Sequence, residues 1–334
     1  MTSQVPYESA SLSPVANITE SGPEEIIPLI DYELYYIIRL STGAILTTTI
    51  AAIGVFTNTI NIIVYAKMGL QETTNINFFS LAIVDWLSAV CLIVMVISNQ
   101  IDVRLPSGAK ADEITNLTSF ILYAASGTGA FITTILSMER CLCIVIPLRV
   151  KKILTRRRVI FLILVMAVYE IVFVGLLITR TGPPYSTYSM LKALYLLCCY
   201  SAISLACFAV ISISTIFLII RLRQSVSWRK TTSTASGQMT ANKESKATRC
   251  VIFICMLFIV CFFPNLFTII IVTIYPTFNL WDPYFNRLAY IVCLGSFLCQ
   301  AISISANTLV YYTMSSKYRQ VFRSLFCCFK DEKM

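Results

Sequence analysis

Apolar residues fall in seven long runs broken by short polar stretches, at roughly 41–66, 76–98, 115–144, 159–179, 194–220, 250–275 and 288–312. A helix needs ~20 mostly apolar residues to cross a bilayer core ~30 Å thick, and each run is long enough. Hydrocarbon offers no partner to a backbone N–H or C=O, so the pattern predicts helices, which pair these groups internally. The sixth run, from Cys250 to Tyr275, holds no charge, and the fourth, from Val159 to Thr179, holds only Glu170. The third is rich in small and hydroxylated residues, among them Ser119, Ala124, Ala125, Ser126, Gly127, Thr128, Gly129 and Ala130. Small side chains permit close helix approach, which places this helix at the bundle centre. Past the seventh run, Tyr318, Val321, Phe322, Leu325 and Phe326 recur on one helical face, with Lys317, Arg319 and Arg323 off it. Such a helix lies on a membrane surface. The expected fold is an all-α membrane protein, a seven-transmembrane helix bundle with a short amphipathic eighth helix. Its expected parts are an acidic tail over 1–36, the bundle over 37–314 with a polar loop at about 221–249, and a final helix and tail over 315–334.

Seven crossings put the two termini on opposite sides. With the amino terminus outside, the inner segments hold nineteen of the 26 Lys and Arg, and Arg140 at the inner end of the third run makes twenty. The excess of basic residues on the inner side predicts that orientation, with the acidic tail outside the cell and the carboxy terminus in the cytoplasm. The tail contains six acids and no base over residues 1–35, and Asn17-Ile18-Thr19 is a glycosylation sequon. The basic runs read as orientation signals and contacts with anionic membrane lipid. Nucleic acid is not an expected partner, since every run abuts a span.

Composition narrows the chemistry. Residues of the set AVILMFWYC make up 57% of the 334 and charged residues 13%, against ~25% charged in a soluble domain. There is no histidine, so a Ser-His-Asp triad, a His-ligated zinc and a His acid or base are excluded. No enzyme activity, metal or cofactor is expected. Of thirteen cysteines, none lies in a predicted outer loop, and most read as buried apolar thiols.

Polar residues inside the spans are costly and mark function. Asn58 sits in the first, Asp85 in the second and Asn307 in the seventh, and Asn77 opens the second. An isolated carboxylate at the depth of Asp85 needs partners, and the two amides suit it. Asp85 is then either a protonated structural tie or a polar switch centre that binds a cation or repacks.

At these positions the chain resembles the rhodopsin-like G-protein-coupled receptors over all seven spans. Gly54 and Asn58 match the first-span GxxxN, and Leu81-Ala82-Ile83-Val84-Asp85 the second-span LAxxD. Glu139-Arg140-Cys141 stands for Asp/Glu-Arg-Tyr, Cys261-Phe262-Phe263-Pro264 for CWxP, and Asn307-Thr308-Leu309-Val310-Tyr311 for NPxxY. The stretch around Arg140 looks like a divergent invertebrate branch of chemosensory and peptide receptors. The resemblance implies a plasma-membrane receptor that binds an extracellular ligand and activates a heterotrimeric G protein. Arg140 would pair with Glu139 at rest and turn toward Tyr311 and the G protein on activation. Pro264 would kink the sixth helix above Phe262, a rotamer-sensitive ring below the ligand. Leu122, Tyr123, Ser126, Asn265, Leu266, Ile269 and Phe297 would line the ligand pocket. Leu122 stands where amine receptors have Asp, which argues against an amine. Cys327 and Cys328 would be palmitoylated, and the Ser/Thr of the 221–249 loop would be phosphorylated by a receptor kinase and recruit arrestin.

The chain also departs from the family. Thr115 stands where the family has the third-helix Cys of its outer disulfide, and Gly129 where a Ser commonly faces the second-span Asp. Two rival readings are a seven-helix transporter or channel, and a non-signalling receptor-like dimer partner. The polar residues cluster around Asp85 rather than along a path, and no paired repeat is evident.

Overall fold

The computed structural model describes residues 27–104, 109–147, 149–180, 187–232, 235–275, 277–278 and 282–326. The first crossing is continuous over Tyr32–Met68, made of α1 (Tyr32–Ile38), a π-helical stretch (Arg39–Thr47) and α2 (Thr48–Met68). Then come α3 (Thr73–Arg104), α4 (Ala109–Val145), the single turn α5 (Val150–Ile153), α6 (Arg156–Arg180), α7 (Thr187–Thr232), α8 (Ala235–Ile274), α9 (Asn286–Met314) and α10 (Ser316–Phe326). Among the described residues six helices are long and apolar enough to cross a membrane. The remaining apolar run is α6, whose side chains are described only as far as Val172.

The bundle is inverted relative to a water-soluble one. Phe161, Leu164 and Val168 of α6, Ile213 and Ile216 of α7, and Val260 of α8 all point outward and are more than half exposed. That belt suits lipid, where no hydrophobic force separates core from surface. Small residues and cross-helix hydrogen bonds therefore do the packing. The span Leu117–Val145 has the largest buried share, 56% against 22% for Tyr32–Met68. It packs on α3, α6, α7 and α8, so the small-residue helix is central, as its composition predicts. At Gly54, α2 approaches so closely that an added Cβ would lie 2.9 Å from Ser305 Oγ and 3.2 Å from Ile304. The Ser305 hydroxyl donates to Ile50 O (2.8 Å) and Thr308 Oγ1 to Thr57 O (3.2 Å), which staples α9 to the same face. On α4, Gly127 makes room for the buried Glu170 of α6, whose carboxylate a Cβ there would strike.

Two expectations change. The first helix begins at Tyr32, nine residues before the apolar run, and Arg39 within it is buried: its Nη2 donates to Asn99 O at 2.6 Å and its guanidinium lies 5.2 Å above the Tyr290 ring. The polar stretch 221–249 is not a long loop, since α7 runs to Thr232 and α8 starts at Ala235. Polarity in a sequence does not end a helix. In α10, Tyr318 is buried against the bundle, while Leu325 and Phe326 are exposed, as a face turned to the membrane surface requires. Asn17, Cys327 and Cys328 lie outside the described residues.

Overpacking a close approach typically costs about 1–3 kcal/mol. Gly54→Val should therefore lower the melting temperature of the solubilised protein, while Gly295→Ala, which meets nothing within 4 Å, should leave it unchanged or raised.

Candidate functional site: a cavity above two polar clusters

Three arrangements line the bundle interior from the middle to the Arg140 end. The first is a cavity of about 80 Å³ between α3, α4, α8 and α9. Tyr123, Ser126, Asn265, Phe262 and Phe297 line it, as the family positions imply, and it reaches down to Asp85 and Asn307. Leu122 does not line it: fully buried, it packs with Leu92, Met95 and Ala301 on the α3 side. Leu266 is buried elsewhere, and the side chain of Ile269 lies outside those described. Gln300 was not singled out by the sequence, yet its amide donates to Ser126 Oγ across the cavity. The signal was available: Phe297, Gln300, Ser303 and Asn307 share one helical face, and all four line the cavity. Phe262 stacks on Phe258 (4.9 Å between centroids) and Phe208 (6.3 Å). Pro264 interrupts α8 one turn from this stack. Lacking an N–H, it leaves the Val260 carbonyl without its helical donor.

The second arrangement is the polar centre. Asn307 Nδ2 donates to Asp85 Oδ2 at 2.7 Å, both residues buried. Asn58, the other expected partner, bonds elsewhere. Its Nδ2 donates to Gly54 O (3.0 Å) and Ile304 O (3.1 Å), and its Oδ1 accepts from Asn61 Nδ2 (3.1 Å). Asn61 in turn accepts from the Tyr318 hydroxyl at 2.7 Å. Burial pushes the Tyr318 phenol up from its ordinary value, so the hydroxyl keeps its proton and donates.

The third lies at the start of α3. Glu139 is buried, and its carboxylate collects hydroxyls from Thr73 and Thr74 (both 2.7 Å), the Asn77 amide (3.0 Å) and Arg140 Nη2 (3.1 Å). Arg140 Nη2 also donates to Thr74 Oγ1. The amino-terminal turn of α3 adds a favourable dipole for the carboxylate. Beside this ionic cluster sits an aromatic one. The Tyr311 ring is 4.9 Å from Phe78, 5.3 Å from Tyr65 and 5.8 Å from Tyr318. Among the described residues seven buried side-chain polar atoms lack a hydrogen-bond partner, and three of them lie here: Tyr311 Oη, Arg140 Nε and Asn77 Oδ1.

The nine cysteines whose side chains are described are all free thiols, so no disulfide joins them. Among the described residues no cluster of acids and cysteines could hold a metal.

Comparison with known proteins agrees with this geometry. Residues 58–301 match the family described as 7 transmembrane receptor (rhodopsin family). The chain is similar to galanin receptor type 2 of Mus musculus, 23% identical over 266 residues that cover 76% of this chain and 67% of the relative. The chain belongs to the rhodopsin family of seven-transmembrane receptors and is a G-protein-coupled receptor.

Proposed function

We propose that the chain is a plasma-membrane receptor for an extracellular peptide, with its amino terminus outside and the Arg140 end facing the G protein. The observation that carries the mechanism is the Glu139 carboxylate, which holds Arg140 while collecting three further donors from α3. This is a resting lock. A guanidinium is always charged and has several donors, so it can exchange a carboxylate for new acceptors without losing its charge. When the Arg140 end opens, Arg140 exchanges the Glu139 carboxylate for the G protein and Tyr311.

A peptide ligand fits the cavity better than a free small molecule does. Pockets for small molecules commonly measure ~300–1,000 Å³, and the cavity of about 80 Å³ admits one side-chain-sized group. A peptide would insert one residue between Tyr123, Ser126, Gln300 and Phe297 and spread the rest over the mouth. Similarity to a receptor named for galanin points the same way. From the cavity floor, Gln300 and Asn307 connect the inserted group to Asp85, and Phe262 connects it to the kink at Pro264.

Four attachments complete the reading: glycosylation at Asn17, palmitoylation at Cys327 and Cys328, phosphorylation in 221–249 that recruits arrestin after a receptor kinase acts, and anionic lipid against the basic residues of α10. A phosphate beside Arg and Lys adds about −1.5 to −2 charges, enough to create a new docking surface. Epitopes placed at each terminus should be labelled on intact cells at the amino end only. The transporter and the non-signalling partner predict no nucleotide exchange.

Arg140→Ala should abolish ligand-driven nucleotide exchange on a promiscuous G-protein alpha subunit while surface expression persists. Exchange at the wild-type level in that variant would refute the lock. Ser126→Leu, which fills the cavity, should weaken half-maximal activation by a peptide agonist from a library screen at least tenfold, the equivalent of about 1.4 kcal/mol. Unchanged potency would place the ligand elsewhere.

A further inference from the structure

At the end of the bundle away from Arg140, the first crossing meets α9 through a ladder of rings and guanidiniums. Tyr32, Tyr35 and Arg39 are spaced three and four apart, on one helical face, and Arg287 and Tyr290 are three apart on α9. The Arg287 guanidinium lies 5.5 Å above the Tyr32 ring, and Tyr32 is 6.4 Å from Tyr35. Tyr35 is 5.6 Å from Tyr290, and the Arg39 guanidinium lies 5.2 Å above Tyr290. The ladder therefore carries a cation at each end.

Neither cation is answered by an anion. Among the described residues no carboxylate pairs with Arg39 or Arg287. The acids near them serve backbone N–H groups: Asp31 accepts from Glu33 N, and Asp282 from Tyr284 N and Phe285 N. Arg39 is only 9% exposed, yet its acceptors are the Asn99 carbonyl at 2.6 Å and, at 3.4 Å, the Tyr35 hydroxyl, and its Nε has no partner. Arg287 is half-buried and gives one donor, Nη1, to Ile30 O. It also stands in the first turn of α9, the end of a helix that favours negative charge, and that turn contains no acid. A guanidinium taken out of water without an anion is held at a cost, which rings and carbonyls offset only in part. A carboxylate would offset more, because it accepts from two N–H groups at once. A brace between helices needs one arginine and one acid, as Arg140 and Glu139 show; two arginines and no acid form an unfilled anion site.

We infer that this ladder is a carboxylate subsite of the receptor: Arg39 and Arg287 receive an ionised carboxylate of the ligand, from its chain end or from an Asp or Glu side chain, while the tyrosines pack on the residue that bears it. This rests on the peptide reading above and narrows it, to peptides that carry an acid outside the group inserted in the cavity. Arg287, the more exposed of the two, meets the carboxylate first. Arg39 then gives it the N–H that has no acceptor at rest. The gain is confined to the charged form, since an amide or a neutral side chain in the same place offers no negative charge to either guanidinium.

The test uses the full chain in lipid nanodiscs with a promiscuous G-protein alpha subunit. Agonists from a random heptapeptide library are remade in matched pairs, with the terminal carboxylate as amide and each Asp or Glu as Asn or Gln. For one carboxylate in each agonist the neutral form should be about tenfold or more less potent. Arg39→Gln or Arg287→Gln should bring that acid-over-neutral ratio close to one by weakening the acid member, whereas loss of a mere brace weakens both members alike. Arg287→Gln guards against misfolding at the buried Arg39. N-acetyltyrosine at millimolar concentration should raise the melting temperature of the full chain and N-acetyltyrosinamide should not, with the difference gone in Arg39→Gln; this arm needs no agonist. Equal potency across all pairs, a ratio that persists in both variants, or equal melting temperatures with the two tyrosine probes would each overturn the subsite. An acid preference that appears only when Glu24→Gln and Glu25→Gln are combined would give the site to the chain's own tail and overturn the ligand assignment. Ser126→Leu separates the two readings. Potency unmoved by it, with a ratio that vanishes in Arg39→Gln, sinks the cavity alone; potency lost in it, with a ratio untouched by either arginine, sinks the subsite alone.

Discussion

Every buried polar group in this bundle has to find its partner inside the protein, since the surrounding hydrocarbon supplies none. That constraint organises the interior. Asp85 is met by Asn307, Glu139 by three donors from α3 and by Arg140, and Asn58 by two backbone carbonyls. Asp85 to Asn307, Glu139 to α3 and Asn58 to Ile304 O each join two helices, so the polar groups specify which helices meet and at what height. The apolar residues, exposed to lipid on the outside and packed at close range inside, cannot specify this, because one leucine face suits lipid and protein equally. The backbone staples at Ser305 and Thr308 work with Gly54 to fix α9 against α2 to within a fraction of a side chain.

Glu139 is the most fully paired of these groups. Its carboxylate has four donors at 2.7–3.1 Å, three of them on α3, so it ties the start of α3 to the end of α4. Among the described residues seven buried side-chain polar atoms lack a partner, and they are spread from Arg39 to Tyr311 rather than gathered at one site.

The crossings, the central helix and the contacts of Asp85 with Asn307 and of Glu139 with Arg140 were legible in the sequence, because a polar residue inside an apolar run has few explanations. Rotation about the helix was less legible. Leu122 and Tyr123 are adjacent, so they stand ~100° apart on a helix and cannot both face one cavity; Tyr123 does, and Leu122 faces α3. Arg39 precedes the apolar run and carries no apolar signal, yet an aromatic ring and a carbonyl oxygen let its guanidinium be buried. Tyr318 was counted by its ring on an amphipathic face, which hid its hydroxyl. Asn61, three residues after Asn58 and on its face, carried a signal that a motif-based reading passes over. The helical continuation through much of 221–249 was masked by charge, which does not by itself end a helix.

The mouth of the bundle lacks the family's disulfide anchor on α4, where Thr115 stands, and its described ties are non-covalent. Arg39 joins the first crossing to α3 through Asn99 O and to α9 through the Tyr290 ring, against which Tyr35 packs edge-on at 5.6 Å. Arg287 of α9 reaches back to Ile30 O at 2.8 Å and lies over the Tyr32 ring, while Leu29 N donates to Tyr284 O at 3.0 Å. A charged hydrogen bond is worth about 1.5–3 kcal/mol and a cation–π contact about 0.5–2, against about 2–5 for a native disulfide in a small domain. The sum is of the same order, but the location differs. A disulfide on α4 would pin the lid over the cavity, whereas these contacts pin the segment entering the first crossing to α9, at the opposite wall. The entrance is thus braced along α1 and α9, and no covalent restraint on α4 lies among the described residues.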